Sequence, residues 1–209
     1  MRNNPFKLAL LFSIALLAVL FTIAASAAEA ARPLPGESVY QLDFPVTDQL
    51  GISSPWASAR GKVQVVSMFY TSCRYVCPLL VDTLKRVENS IPEAQRRGLQ
   101  LRLISFDPAR DDVAALASVA TKRKLDPARW RLLRTSADHV RELAAVLDIQ
   151  YRQLEDGEFN HASRIVLLDP DGRILASSEK LGSADPPFVA ATMEALDRAN
   201  QSGSVDTVR

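Results

Sequence analysis

The spacing of apolar positions predicts that strands and helices alternate along the chain. The β-branched run 62–69 is typical of a buried strand, and a helix is expected to begin near Cys77–Pro78, because proline is favoured in a first helical turn. The later elements, in chain order, are a strand over 99–106, a helix over 113 to about 124 that Asp111–Asp112 could cap, a short strand over 130–133, a helix over 139–147, a strand over 164–168, and a helix from 186 to about 199.

Two further segments indicate paired strands. Residues 39–44 mix apolar and polar positions and predict an edge strand or hairpin, and the turn 169–172 joins the strand over 164–168 to a partner over 173–176. The whole order predicts an α/β fold, with helices flanking a central mixed sheet and with an N-terminal hairpin extension. Because Cys73 and Cys77 fall where a strand passes into a helix, the layout is that of a thioredoxin-like fold.

The first 27 residues have the pattern of an export signal. Arg2 and Lys7 precede the apolar run 8–23, and small residues over 24–28 offer a cleavage point. The alternative is an uncleaved anchor, because the charge-free stretch 8–28 is long enough to span a bilayer. Both interpretations deliver the rest of the chain outside the cytoplasm, as a periplasmic protein that is soluble or anchored to the inner membrane.

Composition places one domain behind this leader. The 209 residues divide into the leader, a linker over 28–38, a single domain over 39–199 and a flexible tail over 200–209. With 25 Lys and Arg against 24 Asp and Glu the net charge is +1, so the basic excess of a nucleic-acid-binding protein is missing. Contact with a membrane is expected only through an uncleaved N-terminal segment.

The two cysteines allow three interpretations. A structural disulfide between Cys73 and Cys77 would close a loop of about five residues and gain roughly 2 kcal/mol, against about 4.7 kcal/mol for a loop of about 100 residues. A redox-active dithiol fits better, because Cys77 should lie in the first helical turn, where its thiolate is stabilised, and Arg74 stands beside Cys73. Their C-x-x-x-C spacing also suits a metal site, with copper favoured by two soft thiolates, but that site needs a third ligand.

Two histidines are candidates for the third ligand. His161 follows the polar loop 155–160 and precedes a late strand, and in a thioredoxin-like sheet such a loop can reach the rim where the cysteines lie. The alternative is that His161 is a satisfied loop residue. His139 falls near the start of a helix and is expected to be a partly solvated surface residue.

Four segments of the chain resemble the Sco/SenC copper chaperones. They are the C-x-x-x-C-P stretch 61–78, the S-x-D-P-x-R-D segment within 104–111, the strand and helix over 130–151, and His161 with the following Asp-Pro-x-Gly turn up to Gly172. The resemblance implies a thioredoxin-like fold and a copper ion, Cu(I) or Cu(II), held by Cys73, Cys77 and His161. It also implies delivery of copper to a cytochrome c oxidase subunit that carries a copper site, or maintenance of that site's cysteines.

Further partners implied by the resemblance are other copper chaperones or thiol reductants. The chain departs from the family pattern at two places. The family often has Pro-Asp after the first cysteine and His before it, where this chain has Arg74–Tyr75 and Ser72. The remaining alternatives are a thiol–disulfide oxidoreductase acting through Cys73 and Cys77 without a metal, and a redox-dependent binding module.

Overall fold

The computed structural model describes residues 33–205. Its strands, in chain order, are β1 (Pro45–Asp48), β2 (Ser53–Pro55), β3 (Val63–Phe69), β4 (Leu99–Ser105), β5 (Trp130–Arg134), β6 (Tyr151–Gln153), β7 (Phe159–His161), β8 (Ile165–Leu168) and β9 (Ile174–Ser178). Its α-helices are α1 (Val76–Ser90), α2 (Glu93–Arg96), α3 (Val113–Lys122), α4 (Ala137–Val146) and α5 (Pro186–Val205).

Seven strands form one mixed sheet in the order β2-β1-β5-β4-β3-β8-β9. Strand β4 runs parallel to both β3 and β5, whereas β8 joins β3 antiparallel and continues into the hairpin with β9. Parallel neighbours need crossover connections, and α1 and α3 lie in those between β3, β4 and β5. The predicted α/β fold, with a central mixed sheet flanked by helices, is confirmed.

The sheet centre is the core of the domain. All seven residues of β3 and all seven of β4 are buried, so the two strands are covered on both faces. Helix α1 packs its apolar side inward through Leu80 and Leu84. Apolar and polar residues alternate over 99–106, but the polar residues do not form a solvent-exposed face, because Gln100 and Arg102 are buried as well.

The N-terminal hairpin lies later in the chain than predicted. Residues Val39–Gln41 form a short 3-10 helix instead of a strand, and the hairpin is made by β1 and β2. Ser38, assigned to the linker from sequence, is buried and caps this helix by accepting a hydrogen bond from the Tyr40 N–H. The apolar residues Val39, Tyr40 and Phe44 are buried, as the pattern over 39–44 predicts, but their burial does not require an extended backbone.

The predicted leader and tail lie wholly or partly outside the described residues. Helix α5 continues to Val205, beyond the predicted end near residue 199, and the rest of the predicted tail lies outside the described residues. The predicted leader 1–27 also lies outside them. Within residues 33–205, no helix is both long and apolar enough to cross a membrane.

A second, two-stranded sheet was not predicted from sequence. Strands β6 and β7 pair antiparallel, with Tyr151 opposite His161. The polar segment 155–160, expected to be a plain loop, is the tip of this hairpin together with the first residues of β7. His161 is therefore the last residue of a strand of its own, separate from β8.

Candidate metal centre

Beyond the carboxyl end of β3, Cys73 lies on the loop that leads into α1, and Cys77 lies in the first turn of that helix. A buried carboxylate holds this loop. Asp111 accepts hydrogen bonds from the Thr71 N–H (3.0 Å), from the Thr71 hydroxyl (2.5 Å) and from the Ser105 hydroxyl (2.5 Å). Because Ser105 ends the neighbouring strand β4, Asp111 joins the cysteine loop to the carboxyl end of that strand. Of the predicted helix cap Asp111–Asp112, Asp112 forms the N-cap, and Asp111 holds the cysteine loop instead.

The β6–β7 hairpin brings His161 to the same place through aromatic packing. The His161 ring lies 4.9 Å from the ring of Phe106 and 6.1 Å from that of Tyr70. Phe159 on the same strand packs at 5.1 Å from Tyr70, and Tyr151 stacks on Phe106 at 5.3 Å. Phe106 and Tyr70 therefore hold the imidazole directly, and Phe159 and Tyr151 of the hairpin pack on those two rings.

Polar contacts fasten the tip of the hairpin. The Tyr70 hydroxyl donates to the Glu158 carboxylate at 2.7 Å. The Arg110 guanidinium donates to the Gly157 carbonyl and pairs with the buried Asp107. Sequence reasoning missed the roles of Tyr70, Glu158 and Arg110. The S-x-D-P-x-R-D segment that carries Arg110 was noticed only as part of the family resemblance.

The three residues predicted as metal ligands come together. One ligand atom each from Cys73, Cys77 and His161 lies within 4.8 Å of the other two, and among residues 33–205 this is the group whose spacing could hold an ion. His139 lies elsewhere: its ring stacks on Phe44 at 4.8 Å, and its Nδ1 is 2.9 Å from the Ser136 hydroxyl. It is half-buried, in agreement with the expected partly solvated position.

The pKa values of the two thiols shift in opposite directions, whereas the sequence predicts a stabilised thiolate at both. Burial acts to raise the pKa of Cys73, but hydrogen bonds outweigh it, led by the one that the Cys77 N–H donates to Cys73 Sγ at 3.2 Å, and the net pKa is lowered. Burial raises the pKa of Cys77, whose side chain is enclosed. The start of α1 thus favours the thiolate of Cys73, which lies three residues before the helix, because the Cys77 N–H in the first turn donates to the Cys73 sulfur.

This arrangement can bind a soft ion and leave it accessible. Two sulfurs and one imidazole nitrogen suit Cu(I), which prefers soft ligands. Cys73 and His161 are half-buried and border an opening of about 590 Å³, which also contacts Tyr70, Arg74 and Glu158. A partner molecule could therefore approach the three ligands from this side.

Comparisons with known proteins agree on the fold. A curated relative from Stutzerimonas stutzeri, described as a "putative copper-binding protein", is 24% identical over 119 residues, which are 55% of this chain and 57% of the relative. The copper-bound ScoI of Arabidopsis thaliana is 19% identical with a TM-score of 0.62, covering 77% of this chain and 98% of that one. BsSco, a member of the Sco family of cytochrome c oxidase assembly proteins in which a disulfide switch was identified, is 20% identical with a TM-score of 0.64, covering 75% and 92%.

The match to a protein family is broader than any of these pairwise similarities. The model of the SCO1/SenC family covers residues 33–196, a span that includes both cysteines, the Asp107–Arg110 ion pair and His161. The chain belongs to the SCO1/SenC family.

Proposed function

We propose that this protein binds a copper ion through Cys73, Cys77 and His161. In this role it delivers the copper to a cytochrome c oxidase subunit during assembly, or keeps that subunit's copper-site cysteines reduced. The observation that carries the proposal is the convergence of the three ligand atoms within 4.8 Å, from elements far apart in the chain. Two thiolates favour Cu(I) over harder ions.

The accessibility of the site supports delivery over storage. A structural zinc site is closed by four protein ligands, whereas this site offers three beside an opening. Because cysteine binds a metal only as a reduced, deprotonated thiolate, oxidation of Cys73 and Cys77 to a disulfide would block copper loading. The export pattern of residues 1–27 supports a periplasmic location, either soluble or anchored to the inner membrane through that segment.

A Cu(I) titration of the reduced protein tests the metal site. With a competing chelator present, we expect one copper per chain in the wild type. His161→Ala should weaken the affinity by at least about 100-fold, because even outer residues of metal sites contribute about 10- to 100-fold. His139→Ala is the matched control, since it removes the other imidazole of the chain and should leave the affinity unchanged.

Equal copper affinity with and without His161 would disprove the three-ligand site. No copper uptake by reduced wild type would instead favour the alternative, a thiol–disulfide oxidoreductase. One observation supports that alternative: the pKa of Cys73 is lowered by hydrogen bonds to its sulfur although burial acts against this, as in a reactive thiolate, while Cys77 lies beside it. Dithiol exchange should survive in His161→Ala.

A further inference from the structure

Two openings flank the cysteine pair. The first, of about 590 Å³, lies on the His161 side and contacts Cys73 and Arg74. The second, of about 170 Å³, lies on the other side and contacts both cysteines, with an apolar floor that includes Phe69 and Val81. The second opening contains none of the hairpin residues. It therefore offers an approach to the sulfurs that is separate from the His161 side of the metal site.

Unpaired positive charge borders both openings. Arg74 borders the first and Lys122 the second; both are exposed, and neither makes an ion pair with another residue in the described part of the chain. Arg123, also at the second opening, donates to the Pro78 carbonyl at 2.6 Å and lies 3.4 Å from the Asp82 carboxylate.

The acidic groups near the cysteines already have partners. Glu158 accepts the Tyr70 hydroxyl hydrogen bond, and Asp111 is buried among its three donors. Asp107 is buried in its pair with Arg110. Arg74 and Lys122 are therefore the charged side chains at the two openings that have no hydrogen-bond or ion-pair partner among the described residues.

Apolar side chains are exposed at the start of α1. Tyr75 is 83% exposed, and Val76 and Leu79 on the first turns of α1 are 39% and 42% exposed. Exposed apolar side chains bordered by charged residues are typical of protein interaction sites. Arg74 and Tyr75 are also among the residues at which this chain departs from the pattern that the family often carries.

We propose that the surface formed by Arg74, Tyr75, Val76, Leu79 and Lys122 docks an acidic, cysteine-bearing segment of a partner protein. The apolar residues contact the segment, and the two cations attract carboxylates on either side of its cysteine. This inference deepens the proposed function, since it assigns the class of partner that approaches the copper ligands. Such charge pairs at an interface mainly raise the association rate and select among partners.

The test uses the reaction of the reduced protein with short cysteine peptides. Each peptide carries its cysteine as a mixed disulfide with thionitrobenzoate and is flanked by Glu, Ser or Lys. The Cys73 thiolate attacks the peptide sulfur, forming a Cys73–peptide disulfide and releasing thionitrobenzoate. Cys77 then loses its proton and displaces the peptide thiolate. Two protein thiols are thereby oxidised to a disulfide, and the mixed disulfide is reduced to two thiols.

The measured quantity is the rate ratio of the Glu peptide to the Ser peptide, which cancels changes in the intrinsic reactivity of Cys73. At low salt we expect a ratio of about 3 to 10 in the wild type, falling towards 1 near 1 M salt, where the Debye length is about 3 Å. Arg74→Glu and Lys122→Glu should each bring the ratio towards 1, and the double variant should invert the order, so that the Lys peptide reacts faster than the Ser peptide.

Lys62→Glu is the matched control. It makes the same charge change before the first residue of β3, at the opposite end of the strand from Cys73, and should leave the ratio unchanged. A wild-type ratio near 1, a ratio insensitive to both reversals, or an equal effect of Lys62→Glu would overturn the proposal. It would also be overturned if Arg74→Glu abolished binding to vesicles of anionic lipid while peptide preference was absent, because the occupant would then be a lipid surface.

Copper titration of the same variants separates this inference from the proposed function. Copper uptake without peptide preference would overturn only the proposed docking surface and leave the proposed copper function intact. Peptide preference without copper uptake supports the docking surface and overturns the metal role, leaving the oxidoreductase alternative.

Discussion

The adjacent acids Asp111 and Asp112 look equivalent in sequence, but the structure predicts very different costs for their removal. Asp111 is 0% exposed and accepts hydrogen bonds from the Thr71 N–H, the Thr71 hydroxyl and the Ser105 hydroxyl. Asp112 caps α3 by accepting a hydrogen bond from the Ala115 N–H at 2.7 Å. Alanine at each position tests this difference.

The expected losses follow from what each substitution leaves behind. Asp111→Ala leaves three donors without their acceptor, and an unsatisfied buried group costs about 1–3 kcal/mol. Half-buried Thr71 can recruit water, so we expect the free energy of unfolding to fall by about 3–4 kcal/mol. Asp112→Ala removes one N-cap and should cost about 1 kcal/mol. Asp112→Asn should cost almost nothing, because Asn caps as well as Asp, whereas Asp111→Asn puts a donor where three donors need an acceptor.

Urea unfolding of the reduced, metal-free protein measures these losses. The four variants are compared by their unfolding free energies, provided that the dependence on urea, the m-value, does not change. If Asp111→Ala costs no more than Asp112→Ala, the hydrogen bonds of Asp111 do not stabilise the cysteine loop and our account of that loop is wrong.

Two further predictions concern the thiols and one turn. In the metal-free reduced protein, iodoacetamide should label Cys73 before Cys77, and should do so at a pH below the ordinary thiol range, because hydrogen bonds lower the pKa of Cys73 whereas burial raises that of Cys77. Peptide mapping by mass spectrometry across a pH series checks this, and equal labelling would contradict it. Gly172→Ala should destabilise the protein by at least about 2 kcal/mol, because φ is +81° and the new Cβ would lie 2.6 Å from Tyr40 Cδ2. Gly182→Ala, with φ +84° but its nearest neighbour at 3.8 Å, isolates the backbone strain at about 1 kcal/mol, and thermal unfolding should separate the two variants.

Local patterns were enough to predict the central elements. The β-branched run of β3, the proline at the start of α1 and the Asp-Pro-Asp-Gly turn before β9 are determined by neighbouring residues, so periodicity and turn chemistry located them. The same reasoning failed over residues 39–44, because burial of Tyr40 and Phe44 against the fold, and not pairing with a strand, decides the backbone there.

The sequence by itself determined the order of strands and helices, the position of the cysteines between a strand and a helix, and which three side chains have metal-binding chemistry. Only the tertiary structure decided that His161 reaches Cys73 and Cys77, because a hairpin between β5 and β8 must fold back onto Tyr70 and Phe106 to bring it there. The relative acidity of the two thiols was also decided in three dimensions. Spacing places both sulfurs near a helix start, but burial and the direction of one N–H determine which of them has the lowered pKa.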